Sequence, residues 1–190
     1  MRDEILNLAE LQLKAGGYHN LSFTEIAKEL NTTRANLHYH FKNKESLALE
    51  AIHKYGQSQF EELAEVTKIY SGDFFKVIGA LEEYFWQKAK AMNSTALCVC
   101  NQIAREPDLP ENLKNMNCSV FHQLGDLFED LLKTAISNKQ IRKNIDIKRE
   151  VARVHVIMAG VMTTGQFMSD VDEAKSLMSG LLLDWAETLK

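Results

Sequence analysis

The sequence predicts an all-α protein, and three observations carry that prediction. Only two prolines occur in 190 residues, Pro107 and Pro110, so long stretches on either side lack an obligate helix breaker. Apolar residues recur at intervals of three and four along most of the chain. The interruptions carry capping and turn residues: Ser22, Asn43, Ser71-Gly72-Asp73 and Asn93-Ser94. About nine helices account for nearly the whole chain, and Ala96-Leu97-Cys98-Val99-Cys100 is the only strand-like fragment.

The first helix spans residues 3 to 15, with Ile5, Leu8, Ala9 and Leu11 at helical intervals and Gly16-Gly17 as its stop. Ser22-Phe23-Thr24-Glu25 is a capping box, in which serine and glutamate each satisfy a free backbone N–H at a helix start. The helix it opens, Phe23 to Leu30, turns Ile26, Ala27 and Leu30 inward. Asn31 tolerates the left-handed conformation of a tight turn. Thr32 or Thr33 then caps a short helix reaching about Tyr39. Two short helices joined by a tight turn are the layout of a helix-turn-helix. Asn43 caps a long helix towards Ile69 whose inner face carries Leu47, Ile52, Tyr55, Gln59, Leu63 and Val66. Asp73 caps the next, to about Met92. Further helices read as Thr95 to Arg105, Glu111 to Ser137, Ile147 to Met168 and Asp172 to Leu189. The expected division is residues 1–46 for an N-terminal three-helix domain and 47–190 for a C-terminal helical domain, with no internal repeat.

Charge is distributed unevenly. The whole chain carries −4, yet residues 28 to 44 hold Lys28, Arg34, Lys42 and Lys44 against Glu29 alone, a local +3 before any histidine protonates. A polyanion responds to the patch it meets, so the acidic total is no obstacle to nucleic-acid binding. No apolar run approaches the roughly 18 residues of a membrane span, and the acid-bearing start MRDEILNLAE is unlike a signal peptide. The expectation is a cytoplasmic protein with no membrane partner. There is no glycine-rich phosphate loop, serine elbow or metal-ligand spacing, so no enzyme, cofactor or metal is expected.

The recognition-helix candidate is Thr33 to His40. The second helix of such a motif lies in the major groove, where its N-terminal side chains meet base edges. Arginine pairs with guanine, asparagine with adenine, and threonine with either donors or a thymine methyl. Thr32, Thr33, Arg34 and Asn36 are therefore the expected readers. Tyr39, His40, Lys42 and Lys44 suit phosphates, which fix register without reading sequence. Ser22, Thr24 and His38 complete the expected DNA-contacting set. The competing reading is a solvated polar turn with Tyr39 and Phe41 as ordinary core.

Residues 2 to 52 resemble the N-terminal domain of the TetR/AcrR family of transcriptional regulators. The resemblance rests on Ile5-Leu6, Ala9, Gly17-Tyr18, Ser22, Ile26-Ala27, Leu37-His38-Tyr39-His40-Phe41 and Lys42-Asn43-Lys44-Glu45-Ser46-Leu47. His38 stands where the family usually has tyrosine, and Asn31 where it usually has glycine. The resemblance implies a ligand-responsive homodimeric repressor, released from a pseudo-palindromic operator by a small molecule. It also implies a cavity between central helices, for which Tyr55, Gln59, Tyr84, Phe85, Trp86, Met92, Cys98, Asn101, Met116, Phe121, His122 and His155 are candidates. The last two helices look like that family's dimer interface, with Val154, Ile157, Met158, Val161, Met162 and Gly165 on one and Leu177, Met178, Leu181, Leu182 and Trp185 on the other.

Three cysteines, Cys98, Cys100 and Cys118, are too few and too odd in number for a secreted disulfide framework. In a helix, Cys98 and Cys100 point in different directions; in an extended segment they share a face. Leu97-Cys98-Val99-Cys100-Asn101-Gln102 with Glu106 is similar to a Gly-Cys-Leu…Asn…Glu stretch in one branch of the family, with Ala96 replacing its glycine. That similarity motivates an alternative in which Cys98 or Cys118 senses oxidants or electrophiles. A helical ligand-binding protein or enzyme without operator binding is the remaining alternative.

Overall fold

A computed structural model describes residues 1–190 as ten α-helices without a strand. In chain order these are α1 (Arg2–Asn20), α2 (Phe23–Glu29), α3 (Arg34–His40), α4 (Lys44–Ile69), α5 (Phe74–Met92), α6 (Val99–Ile103), α7 (Glu111–Ser137), α8 (Ile147–Thr164), α9 (Val171–Met178) and α10 (Leu181–Glu187). The chain forms two compact units. One holds Met1–Gln59 with Cys98–His122, the other Phe60–Leu97 with Gln123–Lys190. No helix is long and apolar enough to cross a membrane.

In the first unit, α1 buries Ile5, Leu6, Ala9 and Leu13 along one face. It does not stop at Gly16-Gly17, as the sequence suggests; it kinks there and resumes to Asn20. Gly17 sits at φ 71°, in the left-handed region that a side chain would strain. Each expected cap further along is present. Ser22 Oγ accepts from Glu25 N–H at 3.3 Å, Thr33 Oγ1 from Asn36 N–H at 3.2 Å, and Asn43 Oδ1 from Ser46 N–H at 2.8 Å. Asn31 takes φ 49°, so it turns the chain between α2 and α3 as a glycine would. The core joins Ile5, Leu13, Ile26, Leu37, Phe41, Leu47 and Ile52. It also draws in Val99 and Ile103 of α6, then Leu109 and Leu113, all from far along the chain. Helix α6 is shorter than the expected Thr95–Arg105, because Cys98 is extended at φ −98°, ψ 111°.

In the second unit, Asp73 caps α5 through Lys76 N–H at 3.1 Å, and Asn93 closes it in the left-handed conformation. One core gathers Phe74, Ile78, Phe128, Leu132, Val154 and Trp185. Another gathers Trp86, Ala89, Val161 and Ala174. Helix α8 gives way to a 3-10 turn, Gly165–Phe167, earlier than the expected Met168. The expected helix from Asp172 to Leu189 is divided at Gly180, which takes φ 92°. The buried Glu82 carboxylate spans that break, accepting from Gly180 N–H at 2.6 Å.

Six residues of the expected dimer face, Val154, Val161, Gly165, Met178, Leu182 and Trp185, are buried within their own chain, so they offer a second copy little surface. Trp185 donates its indole N–H to Glu150 Oε2 at 2.9 Å, inside the core. Ile157 packs against both cores and Met158 against one, while Met162 is half-buried. The outward stripe of α8 is Ala152, Val156 and Gly160, spaced by four, with Val156 72% exposed. Leu177 and Leu181 are exposed. Both stripes of α8 are apolar or small, so their periodicity alone does not say which faces inward.

Candidate nucleic-acid interface

Helix α3 holds its place through one buried side chain, Leu37, and one cap, Thr33. Seven residues are too few for a stable isolated helix, so this anchoring decides where its other side chains point. Thr33, Arg34, His38 and Tyr39 are exposed, and no acid occupies the first turn. Tyr39 is 85% exposed, which places its ring outside the core rather than within it. Thr24 is exposed on α2 and Lys42 is exposed just after α3, while Ser22 is half-buried with its hydroxyl committed to the cap.

Two of the expected readers bond to each other. Asn36 Nδ2 donates to Thr32 Oγ1 at 2.9 Å, which fixes the Asn36 amide before any base arrives. His38 is turned back onto the protein: its ring centroid lies 4.7 Å from that of Phe23, and Nδ1 is 3.3 Å from the Lys42 carbonyl oxygen. His40 is half-buried with its ring 5.4 Å from that of Tyr39.

Lys44 has more partners than a phosphate contact needs. Its ammonium donates to the His19 carbonyl at 3.1 Å and lies 4.7 Å from the centroid of the Tyr18 ring. Burial lowers its pKa and the Glu106 carboxylate works against that shift. Glu106 also accepts from Tyr18 N–H, and from His19 N–H at 3.1 Å. Neither Tyr18 nor Glu106 is in the expected DNA-contacting set, although both lie in motifs quoted for the family resemblance.

The same unit contains a polar cluster on α4, α6 and α7. The Tyr55 hydroxyl and the Cys100 thiol both hydrogen-bond the Cys98 sulfur, and the backbone N–H of Asn101 points at it. The Cys100 contact is the main cause holding the Cys98 thiol below its ordinary pKa, against burial, which raises it. The same contact, with burial, pushes Cys100 up. Burial raises the Tyr55 hydroxyl well above its ordinary value, with the two cysteines adding to the effect. The two thiols meet because Cys98 is extended rather than helical. Asn117 donates Nδ2 to the Cys100 carbonyl at 3.2 Å, while its buried Oδ1 has no hydrogen-bond partner. Asn117 was not among the expected cavity residues, yet it interrupts the apolar stripe Leu113, Met116 and Val120, which is a signal the sequence contains.

The other cavity candidates are dispersed. In the first unit Gln59, Asn101 and Met116 are half-buried, whereas Phe121 and His122 are exposed on α7. In the second unit Trp86 is core, with Phe85 edge-on at 4.9 Å. The Tyr84 hydroxyl bonds the Glu62 carboxylate, His155 is half-buried, and Met92 is 40% exposed at the end of α5. No group of three or more His, Cys, Asp or Glu side chains is placed to hold a metal ion.

Known proteins resemble this chain in its fold and in its N-terminal segment. Residues 5–51 match the family model described as bacterial regulatory proteins, tetR family. An uncharacterized HTH-type transcriptional regulator of Haemophilus influenzae is 27% identical over 161 residues, covering 77% of this chain and 85% of its own. Among solved structures, a TetR-family transcriptional regulator from Agrobacterium tumefaciens superposes with a TM-score of 0.85 at 23% identity, over 95% of each chain. FadR of Bacillus subtilis, in complex with stearoyl-CoA, superposes with a TM-score of 0.76 at 16% identity, over 96% of this chain and 98% of its own.

Proposed function

We propose that this chain, which belongs to the TetR family of transcriptional regulators, acts as a homodimeric repressor that a small ligand releases from its operator. The observation that carries this reading is α3, tethered by Leu37 and capped by Thr33, with an acid-free first turn and Arg34 exposed. Thr33, Arg34 and Asn36 read base edges in the major groove, while Tyr39, Lys42 and Lys44 grip phosphates. Asn36 reaches a base by keeping or exchanging its bond to Thr32.

Two copies are needed because two recognition helices must meet half-sites roughly 34–36 Å apart, or a multiple of that. The exposed Val156 and Gly160 of α8, with Leu177 and Leu181, are the surface offered to the second copy. A ligand that binds one conformation better than the other shifts the population, and operator DNA weakens ligand binding by the same factor. That FadR, a regulator of similar fold, is found in complex with stearoyl-CoA supports a ligand-responsive reading. The test is a substitution pair on duplexes selected from a random pool. R34A changes which base is preferred, whereas K42A weakens all duplexes about equally. Equal, sequence-blind losses from both refute the assignment of readers.

A second reading has its own observation. Cys98 is half-buried, and its thiolate is favoured by the Cys100 thiol and the Tyr55 hydroxyl, so electrophiles would find a reactive sulfur there. Cys118 is exposed on α7. Under this reading, C98S abolishes release of DNA by N-ethylmaleimide and C118S does not. Full release from the double variant refutes it.

A further inference from the structure

Glu106 lies three residues beyond α6, and its side chain is bound to the last turn of α1. The Gly16-Gly17 kink leaves the amides of Tyr18 and His19 outside the helical ladder, and the Glu106 carboxylate takes both. His19 Nε2 adds a contact at 3.4 Å. Gly17 makes this possible twice over: it takes φ 71°, and a Cβ there would collide with Glu106 Oε1. The Lys44 ammonium in turn grips the His19 carbonyl and covers the Tyr18 ring. The dipeptide Tyr18-His19 is therefore clamped between a carboxylate and the lysine that begins α4.

We infer that Glu106 is a positioning residue for DNA binding: through Tyr18-His19 it fixes the Lys44 ammonium where it meets a phosphate. The inference rests on the regulator reading and assigns a role to a residue that touches no DNA. Two opposing effects decide its sign. As a bare negative charge, Glu106 would repel the duplex, and its removal would tighten binding. As the clamp, its removal frees Tyr18-His19, lets Lys44 wander, and loses an ordered phosphate contact. The clamp dominates because the carboxylate is committed to two amides and its charge is offset by the neighbouring Lys44 ammonium, on which it acts directly.

Salt dependence separates the two effects, because each ordered phosphate contact adds about one to the slope of log affinity against log salt. The probe is a duplex that wild-type protein selects from a random pool, measured by fluorescence anisotropy across salt. Failure of wild type to bind any duplex would refute the regulator reading itself and leave a different signature from failure of the clamp. With wild-type binding in hand, E106Q and G17A each weaken affinity about tenfold and lower the slope by about one, as K44A does. Adding K44A to E106Q causes little further loss, since both act on one contact. Unchanged or tighter binding, an unchanged slope, or additive losses overturn the inference. Hydrogen exchange on wild-type protein guards against variants that fail to fold: the Tyr18 and His19 amides are protected in free protein and more so with the duplex. Fast exchange in both states overturns it as well.

Discussion

Replacing Leu37 with alanine removes the only buried side chain of α3 without touching any residue assigned to DNA. Leu37 is fully buried among Leu21, Phe23, Ile26 and Phe41. The substitution deletes three carbon atoms, worth roughly 2.4 kcal/mol at about 0.8 kcal/mol per buried methylene. The cavity left behind adds to this, and buried Leu→Ala changes span about 2–5 kcal/mol. We expect about 3 kcal/mol, lost from the unit that contains α3. Urea denaturation followed by circular dichroism measures the loss, with an unchanged m-value showing that the same surface is exposed. In anisotropy, the variant loses its preference for the selected duplex over a scrambled one and keeps the salt-sensitive, sequence-blind component. The anchoring account is refuted if the loss is below about 1 kcal/mol, or if the preference survives intact.

Glu150 accepts the buried Trp185 indole N–H, so E150A leaves that donor stranded and costs about 1–3 kcal/mol, read by thermal denaturation, whereas E150Q costs much less. Burial holds the Glu82 carboxyl above its ordinary pKa, against the amides of Gly180, Leu183 and Leu182, which lower it. Folded protein therefore binds that proton more tightly than unfolded protein, and stability from this group falls as pH rises above the ordinary carboxylate range. Melting temperatures from pH 4.5 to 7 should show this slope in wild type and lose it in E82Q. Charged substitutions on the outward stripe, V156E with L177E, should give monomers by light scattering and weaken binding to the selected duplex; persistent dimers would move the interface elsewhere. N31G should be neutral or stabilising by up to about 1 kcal/mol in urea denaturation, since Asn31 already takes φ 49°.

Much of the fold is legible in the sequence because local chemistry sets it. Ser22, Thr33, Asn43 and Asp73 each cap the helix they precede, and Asn31 turns where a left-handed residue is required. What is not legible depends on partners distant in the chain. Gly16-Gly17 reads as a stop, yet the freed amides of Tyr18 and His19 find Glu106 nearly ninety residues away, and α1 resumes. The spacing on α8 reveals that a stripe is apolar, but Trp185 and Phe128 decide that Val154 faces inward. Cys98 and Cys100 come together only because Cys98 stays extended. The α3 surface was the most readable part of the site, since cap, anchor and exposed polar residues are adjacent in sequence. The cavity residues are the least readable: Trp86 is buried among apolar neighbours, and Asn117, outside the expected set, carries the unpartnered buried oxygen.

The most direct test of the regulator account is selection of duplexes by wild-type protein from a random pool, followed by affinity measurements between 50 and 200 mM salt. The account predicts enrichment of a two-fold symmetric sequence whose half-sites are centred about one helical turn apart, or a multiple of it. Affinity for it should exceed that for a scrambled duplex by about a thousandfold or more, and fall steeply as salt rises. A pool that remains unenriched, with equal affinity for selected and scrambled duplexes, would contradict it.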